Sequence, residues 1–355
     1  MSDFWNSRTK NLSPYVPGEQ PKDRKFIKLN TNENPYPPSP KVIEAIQNNA
    51  NETLRLYPDP ECTEFRKAIA NRYGVKTQQV FAGNGSDEIL AFAFASFFES
   101  TKNDLLLFPD ITYSFYPVYA SLWDIPFRTI PLGEDFTINI NDYKIPSGGA
   151  ILPNPNAPTG IALALDDILS LAEFLEKQKK VIIIDEAYAA FGADSAVSSI
   201  EKHPNLLTVH TLSKSASLAG LRAGFAIGHE KLIEGLCRIR DSFNSYTLDR
   251  LALAGAAAAI EDRQYYEEIN KKIIATRQRT AQSLKEIGFT VLPSKANFLF
   301  VKPPKLSGEE LFTALRENGI LVRHFKKERI KDFLRITIGT DEEMDTVIAC
   351  CKRIN

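Results

Sequence analysis

The 355-residue sequence predicts an α/β fold: a large domain with a mostly parallel sheet between helices, then a smaller α+β domain. Three observations carry this expectation. Between about residues 78 and 228, short apolar runs alternate with longer amphipathic stretches. The runs are continuous rather than alternating, as strands buried on both faces require, and intervening helices imply parallel neighbours. After about residue 229 the pattern changes to long helix and then to strands interleaved with helices. The chain is also too long for a typical single core, which favours two domains.

In chain order, the proline cluster "NPYPPSP" (34–40) marks the handover from an N-terminal segment to the large domain, because proline breaks helices and stiffens the chain. The strand candidates are "QQVFAG", "DLLLF", "IPFRTIPL", "GAILPNP", "VIIIDEAY", "LLTVHTLS" and "AGFAIG". Polar punctuation follows the runs, and in such sheets ligands bind beyond the carboxyl ends of the strands. From "LIEGLCRIRDSF" to "IIATRQRTAQSLKEIG" the chain reads as long helix with a break at "FNSYTLD". "FTVLPSKANFLFVKP", "GILVRHF" and "FLRITIG" then read as strands.

Composition narrows the function. With 43% hydrophobic residues, 25% charged and a net charge of -1, the chain has no signature of disorder, of a nucleic-acid footprint or of an anionic membrane surface. A small-molecule ligand is expected. The four cysteines form no C-x-x-C pair, which suits a reduced, cytoplasmic protein. The four histidines have no metal-ligand spacing, so no metal site is expected. "MSDFWNSRTK" lacks an apolar signal core, and the longest apolar run, "LALAGAAAAI", falls short of the roughly 20 residues a membrane span needs.

The chemistry is expected at the strand ends. "AGNGSDE" (82–88) opens a helix, where Gly85 and Ser86 could offer backbone N–H groups to an anion. "PDITYSFY" brings Tyr113, and "VIIIDEAY" delivers Asp185 on four β-branched residues, where a carboxylate needs a cationic partner. The same run matches a Walker B strand, but that reading needs a Gly-Lys phosphate loop, and the chain contains no Gly-Lys dipeptide. "TLSKSASLAGLRAGF" (211–225) then supplies Ser213, Lys214 and Arg222. Each signal alone has an ordinary structural explanation: a solvated lysine, a packed tyrosine, a capped turn. Together they form an imine-forming lysine, a phosphate cup, a carboxylate for a ring nitrogen and an aromatic cover, which are the groups pyridoxal phosphate demands.

On "LSPYVPG", "LNTNENPYPPSP", "RLYPDP", "GNGSDE", "NPNAPTG", "DEAYAAF", "TLSKSASLAGLRAGF" and "FLRITIGT", nearly the whole chain resembles the fold-type I pyridoxal-phosphate aminotransferases of classes I and II. Within them it is most similar to the histidinol-phosphate branch. The resemblance implies a seven-stranded sheet and three parts: an N-terminal segment 1–35 packing with the small domain, a large cofactor-binding domain 36–245, and a small domain 246–355. It implies pyridoxal 5'-phosphate as cofactor, with Lys214 forming the imine, Asp185 pairing with the ring nitrogen, Tyr188 bonding the ring hydroxyl and Tyr113 stacking on the ring. Gly85, Ser86, Asp87, Ser213 and Arg222 would surround the phosphate. Tyr57 would reach the phosphate of a partner subunit, so a homodimer is implied. Tyr15, Asn32, Arg323 and Arg335 fall at substrate positions, Arg335 forking onto a carboxylate.

One position departs from the pattern. The family has Asn directly before Pro-Thr-Gly, where this chain has Ala157. Asn156 is the replacement candidate, although adjacent residues of an extended segment point to opposite sides. The implied reaction is transamination of histidinol phosphate with 2-oxoglutarate in histidine biosynthesis. An aromatic amino-acid aminotransferase, a phospho-amino-acid decarboxylase of the same fold and a catalytically silent cofactor-binding regulator remain open from the residues alone.

Overall fold

Strand Ile182–Asp185 shows why the apolar runs are continuous. Ile182 and Ile184 enter one hydrophobic cluster with Leu152 and Leu171, while Ile183 enters another with Phe108 and Val209. Both faces are covered, so no position of the strand can be polar until its end. The computed structural model describes residues 3–16, 18–21 and 24–354. Met1, Ser2, Pro17, Lys22, Asp23 and Asn355 lie outside the described residues, and with them parts of the expected segment 1–35 and of "LSPYVPG".

The large sheet has seven strands in the order Val80–Gly83, Gly224–Gly228, Leu206–Thr211, Ile182–Asp185, Gly149–Pro153, Leu106–Pro109, Phe127–Ile130. All run parallel except Gly224–Gly228, which is antiparallel to both neighbours. Six of the seven fall within an apolar run read from the sequence, and Leu106–Pro109 overruns its run, "DLLLF", by one residue. Phe127–Ile130 lies at the edge and exposes its first three residues, which accounts for the polar interruption in its run.

A second sheet of four antiparallel strands has the order Arg323–His324, Leu334–Thr337, Phe298–Lys302, Thr290–Val291. Its core also takes in Leu29, because Ile27–Lys28 pairs in parallel with Ile320–Leu321. The N-terminal segment is thereby tied to the second unit across almost the whole sequence. Helix Gly308–Glu317, which covers this core, starts with a reciprocal capping box between Ser307 and Glu310.

The long helical region breaks twice rather than once, into helices Glu230–Phe243, Arg250–Glu261 and Arg263–Glu286. The second break is at Asp262, whose carboxylate binds Ser39 and Lys41 at the start of helix Pro40–Asn49. Helix Arg250–Glu261 packs Ala252, Ala256 and Ala259 into the core that holds Val42 and Ile69 of the large-sheet unit. The second core first gains residues of this region at Ile269 and Ile273. We therefore place the change of core inside helix Arg263–Glu286, later than the 245/246 division, because an alanine-rich helix face allows close packing against the first unit.

Coverage of both faces has a measurable consequence. Ile183→Ala and Ile184→Ala are each expected to lower stability by about 2–5 kcal/mol in denaturant titration. A near-neutral result for either would mean that its face is open.

Candidate active site

Strand Leu206–Thr211 ends in the turn Leu212–Ser215, which presents Lys214 to a cavity of about 320 Å³. The amine donates to the Thr31 carbonyl at 3.0 Å, and Asn34 Nδ2 holds the Lys214 carbonyl at 2.9 Å. Burial, reinforced by the charge of Arg335, pushes the amine down from 10.5 to about 8. A much larger fraction of it is therefore neutral near physiological pH than for a surface lysine.

Asp185, at the end of its strand, lines the same cavity. The Tyr116 hydroxyl donates to Oδ2 at 2.9 Å and the Ala187 N–H to Oδ1 at 3.2 Å. Burial outweighs these donors and raises its pKa to about 6. An ionised carboxylate so placed favours a cationic ligand atom.

The adjoining wall has the make-up of an anion cradle. Helix Gly85–Phe97 points its N-terminus at the cavity, with Ser86, Ser213 and Arg222 lining it. Gly85 has φ +76, and a Cβ there would lie 2.9 Å from Arg222 Nη2. At Gly224 a Cβ would meet the backbone of Gly85 and Ser86 at 2.8 Å. The two glycines thus let Arg222 and the helix start approach each other closely. Asp87 holds this wall: it accepts from the Tyr113 hydroxyl at 2.7 Å and pairs with Arg222 at 3.2 Å. As a carboxylate it suits positioning of the cradle better than direct contact with an anion.

Lining the same cavity, Arg323 and Arg335 sit directly across from each other on paired antiparallel strands. Like charges in that position repel, so the pair is receptive to an anion. Arg335 donates to the Asn30 carbonyl at 2.9 Å, lies over the Phe298 ring at 5.4 Å and has a buried Nε with no partner. Burial, with Arg323 adding to it, pulls its pKa down. Tyr15 stacks on Phe115 at this side, and Asn32 Nδ2 donates to the Tyr188 hydroxyl at 2.8 Å.

The structure thus brings together Lys214, Asp185, Tyr188, Tyr113, Ser86, Asp87, Ser213, Arg222, Tyr15, Asn32, Arg323 and Arg335 around one cavity, with Gly85 behind Arg222. Asn156, expected to contact the cofactor, is not on its wall. Asn156 is buried beneath it, its amide donating to the Ile111 carbonyl at 3.0 Å and to Thr159 Oγ1 at 3.1 Å; Ala157 takes the wall instead. Tyr57, expected at the phosphate of a partner subunit rather than here, is 79% exposed and stacks on Tyr246. Among the described residues no cluster of His, Cys, Asp and Glu could hold a metal ion.

A sequence profile of the family "aminotransferase class I and II" matches residues 24–350. The chain belongs to this family. Among aminotransferases similar to it, the histidinol-phosphate aminotransferase of Clostridium acetobutylicum is 56% identical, covering 97% of each chain. That of Clostridium beijerinckii is 55% identical, covering 98% of this chain and 96% of the other. Among solved aminotransferases, the Sinorhizobium meliloti histidinol-phosphate aminotransferase in complex with pyridoxal-5'-phosphate superposes with a TM-score of 0.89 at 23% identity, covering 100% of this chain and 98% of the other. A histidinol-phosphate aminotransferase structure from Clostridium acetobutylicum gives 0.85 at 25% identity, covering 93% and 99%.

Several residues of this aminotransferase site escaped the sequence reading. Tyr116 follows Tyr113 by three residues in "TYSFY", and that spacing was the available signal for its contact with Asp185. Asn30 and Thr31 act through backbone carbonyls, which leave no mark on side-chain identity. Glu33 lines the cavity and is engaged by Lys28, which lowers its pKa against the effect of burial.

The shifted amine is directly testable. With a pKa of about 8, Lys214 in the cofactor-free protein gains nucleophile as pH rises from 7 to 9, well below the range of an ordinary lysine. Acylation followed by peptide mass spectrometry should show Lys214 reacting with a midpoint near 8. A midpoint above 10 would contradict the assigned environment.

Proposed function

We propose that this protein catalyses pyridoxal-phosphate-dependent transamination, with histidinol phosphate as amino donor and 2-oxoglutarate as acceptor, in cytoplasmic histidine biosynthesis. The observation that carries the reading is the single cavity holding Lys214, Asp185 and Arg222 together with the Arg323–Arg335 pair, in a chain more than half identical to relatives named for this activity. The residues present fit the cofactor: an anion cradle narrowed by Gly85 and Gly224, a buried carboxylate favouring a cation, and an amine with a lowered pKa. No helix among the described residues is long and apolar enough to cross a membrane.

When bound, the cofactor supplies an aldehyde that condenses with amines and a ring that accepts the electron pair left when a substrate C–H bond breaks. Ser86, Ser213 and Arg222 would hold its phosphate, and Asp185 its ring nitrogen in the protonated form. Tyr113 would cover the ring, and Tyr188 would donate to the ring hydroxyl. Lys214 Nζ would serve as general base and then general acid, taking the proton from the substrate carbon and returning it. Its lowered pKa keeps the base form accessible near neutrality. Arg323 and Arg335 would receive the phosphate monoester of one substrate and a carboxylate of the other, both of which suit guanidinium geometry. Carbonyls of Asn30 and Thr31 hold Arg335 and Lys214 by hydrogen bonds.

Lys214→Ala is expected to abolish turnover while far-UV circular dichroism stays unchanged; retained turnover would refute its role. In a substrate panel, histidinol phosphate should exceed phenylalanine, tyrosine and aspartate in kcat/KM. Faster turnover of the aromatic amino acids would replace this reading with an aromatic aminotransferase.

We also propose a homodimer. Leu54, Leu56, Tyr57, Phe243 and Tyr246 leave large apolar side chains exposed, and a second copy would cover them while Tyr57 reached its phosphate cradle. A Leu54→Asp, Phe243→Asp double variant should run as a monomer in light scattering with at least tenfold lower activity. A fully active wild-type monomer would overturn the assignment.

A further inference from the structure

We infer that Asn32 is a positioning residue that fixes the direction of the Tyr188 hydroxyl proton and so compensates for the amide missing at Ala157. The inference rests on the cofactor reading above and deepens it.

Asn32 lies at φ 56, a left-handed conformation that asparagine tolerates, and is 1% exposed. Each of its polar groups has a partner. Its backbone N–H donates to Thr337 Oγ1 at 3.0 Å, and its carbonyl accepts from Asn297 Nδ2 at 3.0 Å. Its Oδ1 accepts from the Thr337 hydroxyl at 3.0 Å, and its Nδ2 donates to the Tyr188 hydroxyl at 2.8 Å.

The network has one consistent polarity. A backbone N–H can only donate, so Thr337 accepts from it and directs its single proton to Asn32 Oδ1. That leaves Nδ2 facing Tyr188. The flipped amide would aim a second donor at Thr337 Oγ1 and leave the Thr337 proton without its acceptor. The Tyr188 hydroxyl is therefore an acceptor on its Asn32 side, and its own proton is left for the cavity that Tyr188 lines.

On the neighbouring wall, Ala157 has no side-chain donor to offer, and the Asn156 amide is engaged by Ile111 and Thr159. The directed proton of Tyr188 supplies what position 157 lacks. Thr337 and Asn297 belong to the second unit, so the direction of that proton depends on how that unit seats against the large sheet. The titratable groups facing Tyr188 are Arg335 from its strand, Asp185 three residues before it, Tyr15 from the N-terminal segment, and Tyr113 and Tyr116 from the stretch after strand Leu106–Pro109. The substitutions below alter none of them.

With pyridoxal phosphate bound, the pH midpoint of the visible absorption reports proton loss beside the ring hydroxyl oxygen. A donor to that oxygen favours the deprotonated side, where the oxygen charge is least compensated, so loss of the donor raises the midpoint. Asn32→Asp, which can only accept from Tyr188 when ionised, should raise it by about one pH unit, a tenfold change in the equilibrium. Tyr188→Phe should raise it similarly, and the double variant should add nothing, because both act through one hydroxyl. An added effect of Asp in the Phe background would mean that its charge acts directly, and would overturn the inference. Asn32→Gly keeps the left-handed backbone without adding charge; it should shift the midpoint in the same direction, and Ala157→Asn in that background should move it back. Unchanged midpoints in Asn32→Gly and Asn32→Asp, with a shift in Tyr188→Phe, would overturn the positioning role alone. If the wild-type protein with pyridoxal phosphate gives no absorption attached to Lys214 after borohydride reduction, the cofactor reading fails and the inference falls with it.

Discussion

Two opposite charges share one cavity and are kept from neutralising each other. Lys214 donates to the Thr31 carbonyl and not to Asp185, and Asp185 takes its hydrogen bonds from Tyr116 and Ala187. If the two met, the amine would be held protonated and the carboxylate would be unavailable to a ligand. The rest of the site can be understood as the scaffold that enforces this separation. Strands buried on both faces deliver the two groups to neighbouring strand ends, and a segment from the far end of the chain supplies the carbonyl that holds the amine.

That segment is where the two structural units meet. Residues 30–34 contribute carbonyls to Arg335 and Lys214 and side chains to Tyr188 and the Lys214 carbonyl. It is anchored by the pairing of Ile27–Lys28 with Ile320–Leu321 and by Thr337 and Asn297. Arg277 gives a second tie: it is buried, with Nη1 donating to the carbonyls of Phe191 and Ala296. Movement of one unit against the other would therefore be felt at the lysine, at the arginine pair and at the tyrosine together.

The sequence was most legible where one physical rule acts alone. A strand covered on both faces must be apolar throughout, so all seven strands of the large sheet could be read, and the polar residues ending them marked the cavity. Lys214, Asp185 and Arg222 were found in this way because strand ends and glycine turns restrict what can stand there. Legibility failed where the determinant is a partner far away in sequence. The two-residue pairing of Ile27–Lys28 has no periodicity to detect, Thr31 acts through its backbone, and the break at Asp262 depends on Ser39 and Lys41. Asn156 could not be placed from sequence, since the side an amide faces in a turn depends on Ile111 and Thr159.

The one antiparallel strand of the large sheet explains how Ser213 and Arg222, nine residues apart, come to serve the same end of the cavity. Gly224 is in register with both Thr211 and Gly83, so three chain segments that carry polar groups converge on a single rung. Had Gly224–Gly228 run parallel, its entrance, and Arg222 with it, would lie at the opposite end of the strands, about 13 Å away at roughly 3.3 Å per residue. The address of the arginine is thus written in hydrogen-bond register rather than in the shape of the loop. A slip of two residues in that pairing would carry Arg222 about 7 Å from the helix start, with every side chain still facing its proper core. Fidelity of strand pairing during folding therefore decides whether this enzyme has an anion cradle at all.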